Sequence, residues 1–391
     1  MEVVPRKRRP YSTLEKFEMK KTLVALAAFS AVSAFAQSTV TISGIINYGM
    51  KRAETGAQTF AGLKGDRNNI GFDVAEDMGG GTSAIAKLQI RFNSANGSAG
   101  YTNTAASTET AAGTTLMEQT MVGLTSTSLG TVKVGRFTND LGTYDYSVFE
   151  DSGYGTNASN AMYGRLSGTI QYTSPTISGF TVSLINADAQ ANAWGNAGGA
   201  TGGGITSGIN YSTYSSTGFN NFGAIAVKYE MGPWLAQVAS IGGLYGDKNT
   251  RVGVRYTMNN GAKLYYSSYK QSGTVGGNTA NYAATYLIPV ATSTGYGWAS
   301  HTNTELGASL PVGPVTLRAG YVMSNNDLDI SKTDGTSKVS KFSLGAEYNL
   351  SKRTMLMAQA GKTSNSTANV AAGGAIFTQG TAYWTGIQHS F

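Results

Sequence analysis

From Thr381 to Phe391 the chain alternates with a period of two residues up to its last position. Tyr383, Thr385, Ile387, His389 and Phe391 share one parity, with Gly386, Gln388 and Ser390 between them. That is the period of a β-strand, whose successive side chains point to opposite faces. One face is mostly apolar and carries aromatics at its ends; the other is small or polar. Chain ends ordinarily fray, so a strand patterned to its final residue predicts an end held inside a sheet. An edge strand of a soluble sandwich meets that demand. So does the last strand of a closed barrel, which has to pair with the first.

Composition separates the two. Charged residues make up 13% of the chain, about half of the ~25% usual in soluble domains. Low charge ordinarily accompanies a large apolar core, yet hydrophobic residues reach only 41% and mean hydropathy is −0.16. Neither a helical membrane protein nor a typical soluble enzyme has that balance, with 51 Gly, 22 Tyr and 7 Pro. A transmembrane barrel does: lipid-facing and water-facing residues alternate to a neutral average, and glycine serves the turns and bends. With no cysteine, disulfides, thiolate metal sites and cysteine nucleophiles are excluded.

Near the start, Met19-Lys20-Lys21 precedes an apolar run from Leu23 to Val32, and Ala34-Phe35-Ala36 supplies an A-x-A cleavage site. Residues 19–36 therefore read as a secretory signal peptide, cleaved before Gln37. The run is well short of the ~20 residues a membrane helix needs. Residues 1–18, including Arg6-Lys7-Arg8-Arg9, lie upstream of a complete signal and read as a non-native extension rather than a nucleic-acid-binding arm. Without residues 1–36 the chain keeps 22 basic and 19 acidic residues, a formal charge of +3. The apparent basicity belongs to the leader and gives no support for nucleic-acid binding.

Residues 37–391 read as one domain. In STVTISGIINYGMKRA, from Ser38, Val40, Ile42, Ile46, Tyr48 and Met50 oppose Thr39, Thr41, Ser43, Asn47 and Lys51. A polar stretch to Asp66 follows, then NNIGFDVAED, a tight turn and TSAIAKLQIRF, where Lys87, Gln89 and Arg91 share the face that must meet water. Short turns built from usual turn formers fall at Asp77–Gly80, Ser128–Gly130, Ser174–Gly179, Gly232–Pro233, Asn259–Gly261, Pro311–Pro314 and Leu350–Arg353. Between them lie connections rich in Gly, Ser, Thr and Asn at residues 93–115, 138–164, 188–220, 271–300, 324–336 and 364–379. Seven hairpins with a first and a last strand make sixteen strands, an even number with both ends on the short-turn side. The expected fold is all-β, a 16-stranded antiparallel transmembrane β-barrel.

Six segments in order resemble the trimeric general-diffusion porins of Gram-negative outer membranes, in their betaproteobacterial, neisserial-like branch. They are STVTISGIINYG, IGFDVAEDMGGG, VGLTSTSLGTVKVGRF, IQYTSPTISGFTVSL, the turn Leu350-Ser351-Lys352-Arg353-Thr354 and the terminal GIQHSF. The resemblance implies short periplasmic turns, long external loops and a third loop folded into the lumen as a constriction. It also implies a homotrimer in the outer membrane, in contact with the bilayer and lipopolysaccharide and delivered by the barrel-assembly machinery. The implied function is a water-filled channel for small hydrophilic solutes and ions, with no cofactor and no metal.

If the loop after Arg136 is the inward one, it places Asp140, Asp145, Glu150 and Asp151 at the constriction. Carboxylates there, facing basic wall residues, would set up a transverse field that sorts solutes by charge; alternatively they only keep a loop soluble. Arg136 and Arg165 match wall arginines of the family, and Lys133, Lys87 and Arg91 are lumen candidates by parity. The chain departs from the family at Asn69, where arginine usually precedes IGF, and at Glu118, where a basic residue is common. Both changes weaken anion preference, so weak selectivity is expected. Tyr48, Phe72, Tyr172, Tyr229, Tyr348 and Trp384 are expected in interfacial girdles, and Phe391 as the assembly signal at the carboxyl end.

Other functions fit less well. A serine hydrolase needs a histidine base, but the chain has only His301 and His389 and no GxSxG. Asp327, Asp329 and Asp334 form a loose acidic cluster without the EF-hand glycine, which reads as a solvated loop. The main alternative is a substrate-specific channel with a lumenal site for a small anion or sugar; a sealed structural barrel is a third.

Overall fold

In the computed structural model, strand β1 (Ser38–Thr55) shows how the alternation is used. Val40, Ile42, Ile46 and Met50 stand exposed on one face, while Asn47 on the opposite parity is buried. From Val40 to Met50 the apolar face rises about 25 Å, given ~3.4 Å per residue and a tilt near 40°. Exposed aliphatics outside and buried amides inside invert the soluble pattern, as a wall between lipid and water requires. The structure describes residues 38–55, 58–65, 68–94, 117–141, 145–149, 165–187, 222–242, 248–272, 297–329, 337–365 and 380–391. The expected extension and signal peptide, and Glu150, Asp151 and Asp334, lie outside the described residues.

The remaining strands are β2 (Gln58–Lys64), β3 (Asn68–Gly79), β4 (Thr82–Phe92), β5 (Met117–Ser126), β6 (Gly130–Thr138), β7 (Arg165–Thr173), β8 (Phe180–Ala187) and β9 (Phe222–Met231). They continue with β10 (Trp234–Gly242), β11 (Lys248–Thr257), β12 (Lys263–Ser272), β13 (Gly297–Val312), β14 (Val315–Asp329), β15 (Ser337–Asn349), β16 (Thr354–Asn365) and β17 (Gly380–Ser390). All belong to one antiparallel sheet that closes on itself through β1 and β17. The seven short turns fall where the turn residues predict, joining β3 to β4, β5 to β6, and so on to β15 and β16.

Residues 58–64, expected in a polar connection, instead form β2 and pair with the outer half of β1, from Gly49↔Lys64 to Thr55↔Gln58. The inner half of β1 pairs with β3, from Ser38↔Glu76 to Ile45↔Asn69. β2 and β3 are thus two pieces of one stave, and the wall has the sixteen staves expected. At the break, side chains replace the ladder: Asn47 N donates to Asn68 Oδ1, and Ser94 Oγ donates to Asn47 O at 3.0 Å. Pairing also reaches further than expected in β14, so Asp327 and Asp329 are strand residues opposite Ser300 and Gly297.

The closing seam runs from Ile45↔Ser390 to Ala53↔Ala382. Phe391 extends it, exchanging two backbone hydrogen bonds of 3.1 Å with Gly44. A closed seam leaves no open edge at this join. Of the girdle candidates, Tyr172 and Tyr348 are exposed on the outer face, and Tyr229 packs against Phe180 in a tilted ring contact, with centroids 4.7 Å apart. Trp384 is a correction. It follows the outward Tyr383, so strand parity turns it into the barrel, where it is buried against Met357. An indole there fills lumen volume instead of anchoring at the headgroup boundary.

Candidate functional site

The lumen has two unlike halves. Each of β7, β8 and β10 to β15 has a fully buried inward side chain: Gln171, Ser183, Gln237, Arg251, Ser267, Glu305, Val322 and Ser343 all lie below a tenth exposure. On β3 to β6 the inward side chains of Asp73, Lys87, Gln89, Met121 and Lys133 are only partly covered. Water fills a barrel of this size unless protein displaces it, so something covers the first half.

The cover is the segment after β6. Asp140 N donates to Gln171 Oε1 at 3.3 Å, and Gln237 Nε2 donates to Asp140 O at 2.8 Å. Arg251 Nη1 donates to Leu141 O, and Arg318 Nη1 donates to Val148 O at 2.8 Å. Glu305 Oε1 accepts from Ser147 Oγ at 2.8 Å and from Val148 N at 3.0 Å. The described part of the loop therefore crosses the inner faces of β7, β10, β11, β13 and β14 in turn. Leu141, Tyr146, Val148 and Phe149 are buried beneath it, a small apolar core of its own. Val148 and Phe149 cluster with Tyr265, and Arg251 lies 5.1 Å from the ring centre of Tyr146. Burial holds the Tyr146 phenol well above its ordinary pKa, against the pull of the Arg251 guanidinium, so it stays neutral.

The open half carries two pairs of opposite charges along its wall. Lys87 Nζ sits 2.8 Å from Asp73 Oδ1, its cross-strand neighbour in the β3–β4 register. Arg91 Nη2 sits 3.1 Å from Glu118 Oε1, with both side chains largely buried. Glu118 reaches Arg91 because β4 and β5 slip register between Gln89↔Gln119 and Ile90↔Met117, leaving it as the extra residue of a bulge. Lys133 Nζ lies 5.1 Å from the ring centre of Phe137. Gln119 bridges wall and loop root: it bonds Gln89 and accepts from Thr138 N at 2.8 Å.

Lys87, Arg91, Glu118 and Asn69 thus gather on one patch, Asn69 pairing with Arg91 in the strand register. Asp140 and Asp145 engage the wall behind the loop. The Asp140 carboxylate accepts from Thr173 Oγ1 at 3.1 Å and from Ser183 Oγ, and Asp145 Oδ1 lies 3.7 Å from Arg255 Nη1. Arg136 stands at the irregularity between Gly135 and Phe137, opposite Thr120, and the backbone of Arg165 pairs with Thr138. His389 shares a 2.8 Å hydrogen bond with Thr354 on β16, whereas His301 lies on β13. Sequence reasoning missed Arg251, Arg255, Glu305, Arg318 and Glu347, the last paired with Arg318 at 2.8 Å. Their one local signal is charge on the water-facing parity of late strands.

Comparison with known proteins agrees with this architecture. A family model described as Gram-negative porin matches residues 22–368. The chain is 26% identical to an outer membrane porin protein of Bordetella pertussis, over 89% of this chain and 95% of that protein. It is also 26% identical to the major outer membrane protein P.IB of Neisseria lactamica, over 95% of this chain and 100% of that one. Among solved structures, an anion-selective porin from Comamonas acidovorans superposes with a TM-score of 0.64 at 20% identity, covering 91% of this chain and 100% of that one. OmpF of Salmonella typhi in complex with daunomycin gives a TM-score of 0.61 at 15% identity, covering 90% and 97%.

Proposed function

The chain belongs to the Gram-negative porin family, and from that premise we propose that its channel sorts ions only weakly by charge and holds no dedicated solute site. The protein is an outer-membrane porin, a β-barrel whose water-filled lumen passes small hydrophilic solutes and ions by diffusion. The observation that carries the selectivity reading is the pairing of wall charges. Lys87 with Asp73, and Arg91 with Glu118, are neutral pairs as seen by a passing ion. A transverse field needs opposite charges on opposite sides of the opening. Here Asp73, Glu118 and Glu347 lie beside bases of the same wall, and the described loop acids turn to the wall behind them.

The family's homotrimer, its contact with lipopolysaccharide and assembly by the barrel-assembly machinery belong to the same proposal. So do a leader at residues 19–36 and a non-native extension at residues 1–18. Phe391 is the residue we assign to assembly. Reversal potentials in a planar bilayer under a salt gradient test the selectivity: values near zero support it, and values near the limit for either ion refute it. Saturable block by a sugar or small anion at low concentration would replace general diffusion with a substrate-specific channel.

A further inference from the structure

We infer that Gly253, Gly307 and Gly345 are positioning residues that set the bore of the channel, each holding open a hollow that seats one side chain of the inward loop. The inference rests on the reading that this loop narrows the lumen.

The three glycines lie at inward positions on β11, β13 and β15, along the path of Tyr146–Phe149. A Cβ on Gly253 would stand 2.7 and 2.8 Å from Cδ2 and Cδ1 of Tyr146. On Gly307 it would stand 2.6 Å from Cβ of Val148, and on Gly345 2.7 Å from Cε1 of Phe149. Carbon atoms in contact settle at about 3.5 to 4.0 Å, so an added methyl must push the loop away by roughly 1 Å. Backbone conformation does not call for glycine here, since none of the three has a positive φ. Glycine otherwise weakens a strand, and Gly223 on β9, with nothing near its missing Cβ, shows what an unconstrained one looks like. Space for the loop is the remaining reason for all three.

Polar contacts hold the middle of the same segment, at Ser147 and Val148. Glu305 accepts from Ser147 and from Val148 N, while Arg318 donates to Val148 O and is itself held by Glu347. The glycines fix how deep the tetrapeptide sits; the charged groups fix where along the wall it sits. Depth is what permeation reads, because the space left to solute lies between the loop and the β3–β6 wall.

Two measurements separate this inference from the reading beneath it. In a chain without cysteines, Val148→Cys with Gly307→Cys should form a disulfide under mild oxidation; an intact dithiol would show that the loop is not seated there, and the constriction reading fails. Gly307→Ala should lower single-channel conductance, by roughly a tenth to a third for a ~1 Å advance of the loop. Gly307→Ala with Val148→Gly, which removes the side chain that the new methyl would meet, should restore it, and Gly223→Ala should leave it unchanged. If the disulfide forms but Gly307→Ala conducts like the parent, the loop is seated and the glycine does not set the bore, which overturns the inference. Heat-dependent gel mobility, the same for all variants, reports that the barrel is intact.

Discussion

Replacing Glu118 by glutamine tests whether charge pairing along the wall governs selectivity. The carboxylate lies 3.1 Å from Arg91 Nη2, and its loss leaves one positive charge on the open half of the lumen. For an ion passing about 6 Å away in water-like dielectric, one charge is worth ~0.7 kcal/mol, a factor of about 3 in local concentration. Anions gain and cations lose by that factor, so the permeability ratio moves between about 3-fold and 10-fold toward anions. In a tenfold gradient of potassium chloride at low salt, the reversal potential should shift by about 20 to 40 mV toward the chloride potential. At 1 M salt, where screening acts within ~3 Å, the shift should nearly vanish. Removing one member of a buried pair also costs stability, so the control is the double variant Glu118→Gln with Arg91→Gln. It deletes both charges and should return close to the parent. An unshifted single variant, or a double variant shifted as far as the single, would refute the pairing account.

Asp73→Asn should move selectivity in the same direction by less, because the Lys87–Asp73 pair is more exposed and better screened; a larger shift than Glu118→Gln would contradict the ordering. Gly386→Val should block closure of the barrel, since its Cβ would stand 2.6 Å from Tyr48 O across the β1–β17 seam. Loss of the heat-modifiable gel band checks this. Deleting Phe391, which exchanges two hydrogen bonds with Gly44, should reduce the amount assembled in the outer membrane while leaving the conductance of inserted molecules close to the parent. Normal assembly would remove Phe391 from the proposed role.

What was legible in the sequence is what depends on neighbours in the chain. Period-two alternation and turn residues such as Asn259-Asn260-Gly261 are local, and they placed seven hairpins and the closing strand. β2 escaped because QTFAGLK is brief and lies within a polar stretch, and its place is set by pairing with the outer half of β1. Trp384 was legible but misassigned: Tyr383 and Trp384 cannot both face lipid in one strand, and parity decides. The Arg91–Glu118 pair depends on a bulge that no local pattern announces. The seat of the loop was not legible, since Ser147 and Glu305 are 158 residues apart. Inward glycines at 253, 307 and 345 were its faint trace. A glycine in a strand reads equally well as a bend until the facing residue is known.

An open, water-filled path runs beside the seated loop. Single-channel current in a planar bilayer measures it directly. The predicted result is stepwise, ohmic conductance that scales with bulk salt concentration and is not saturably blocked by sugars or small anions. Insertion without conductance, or currents that saturate with a low concentration of one solute, would contradict it.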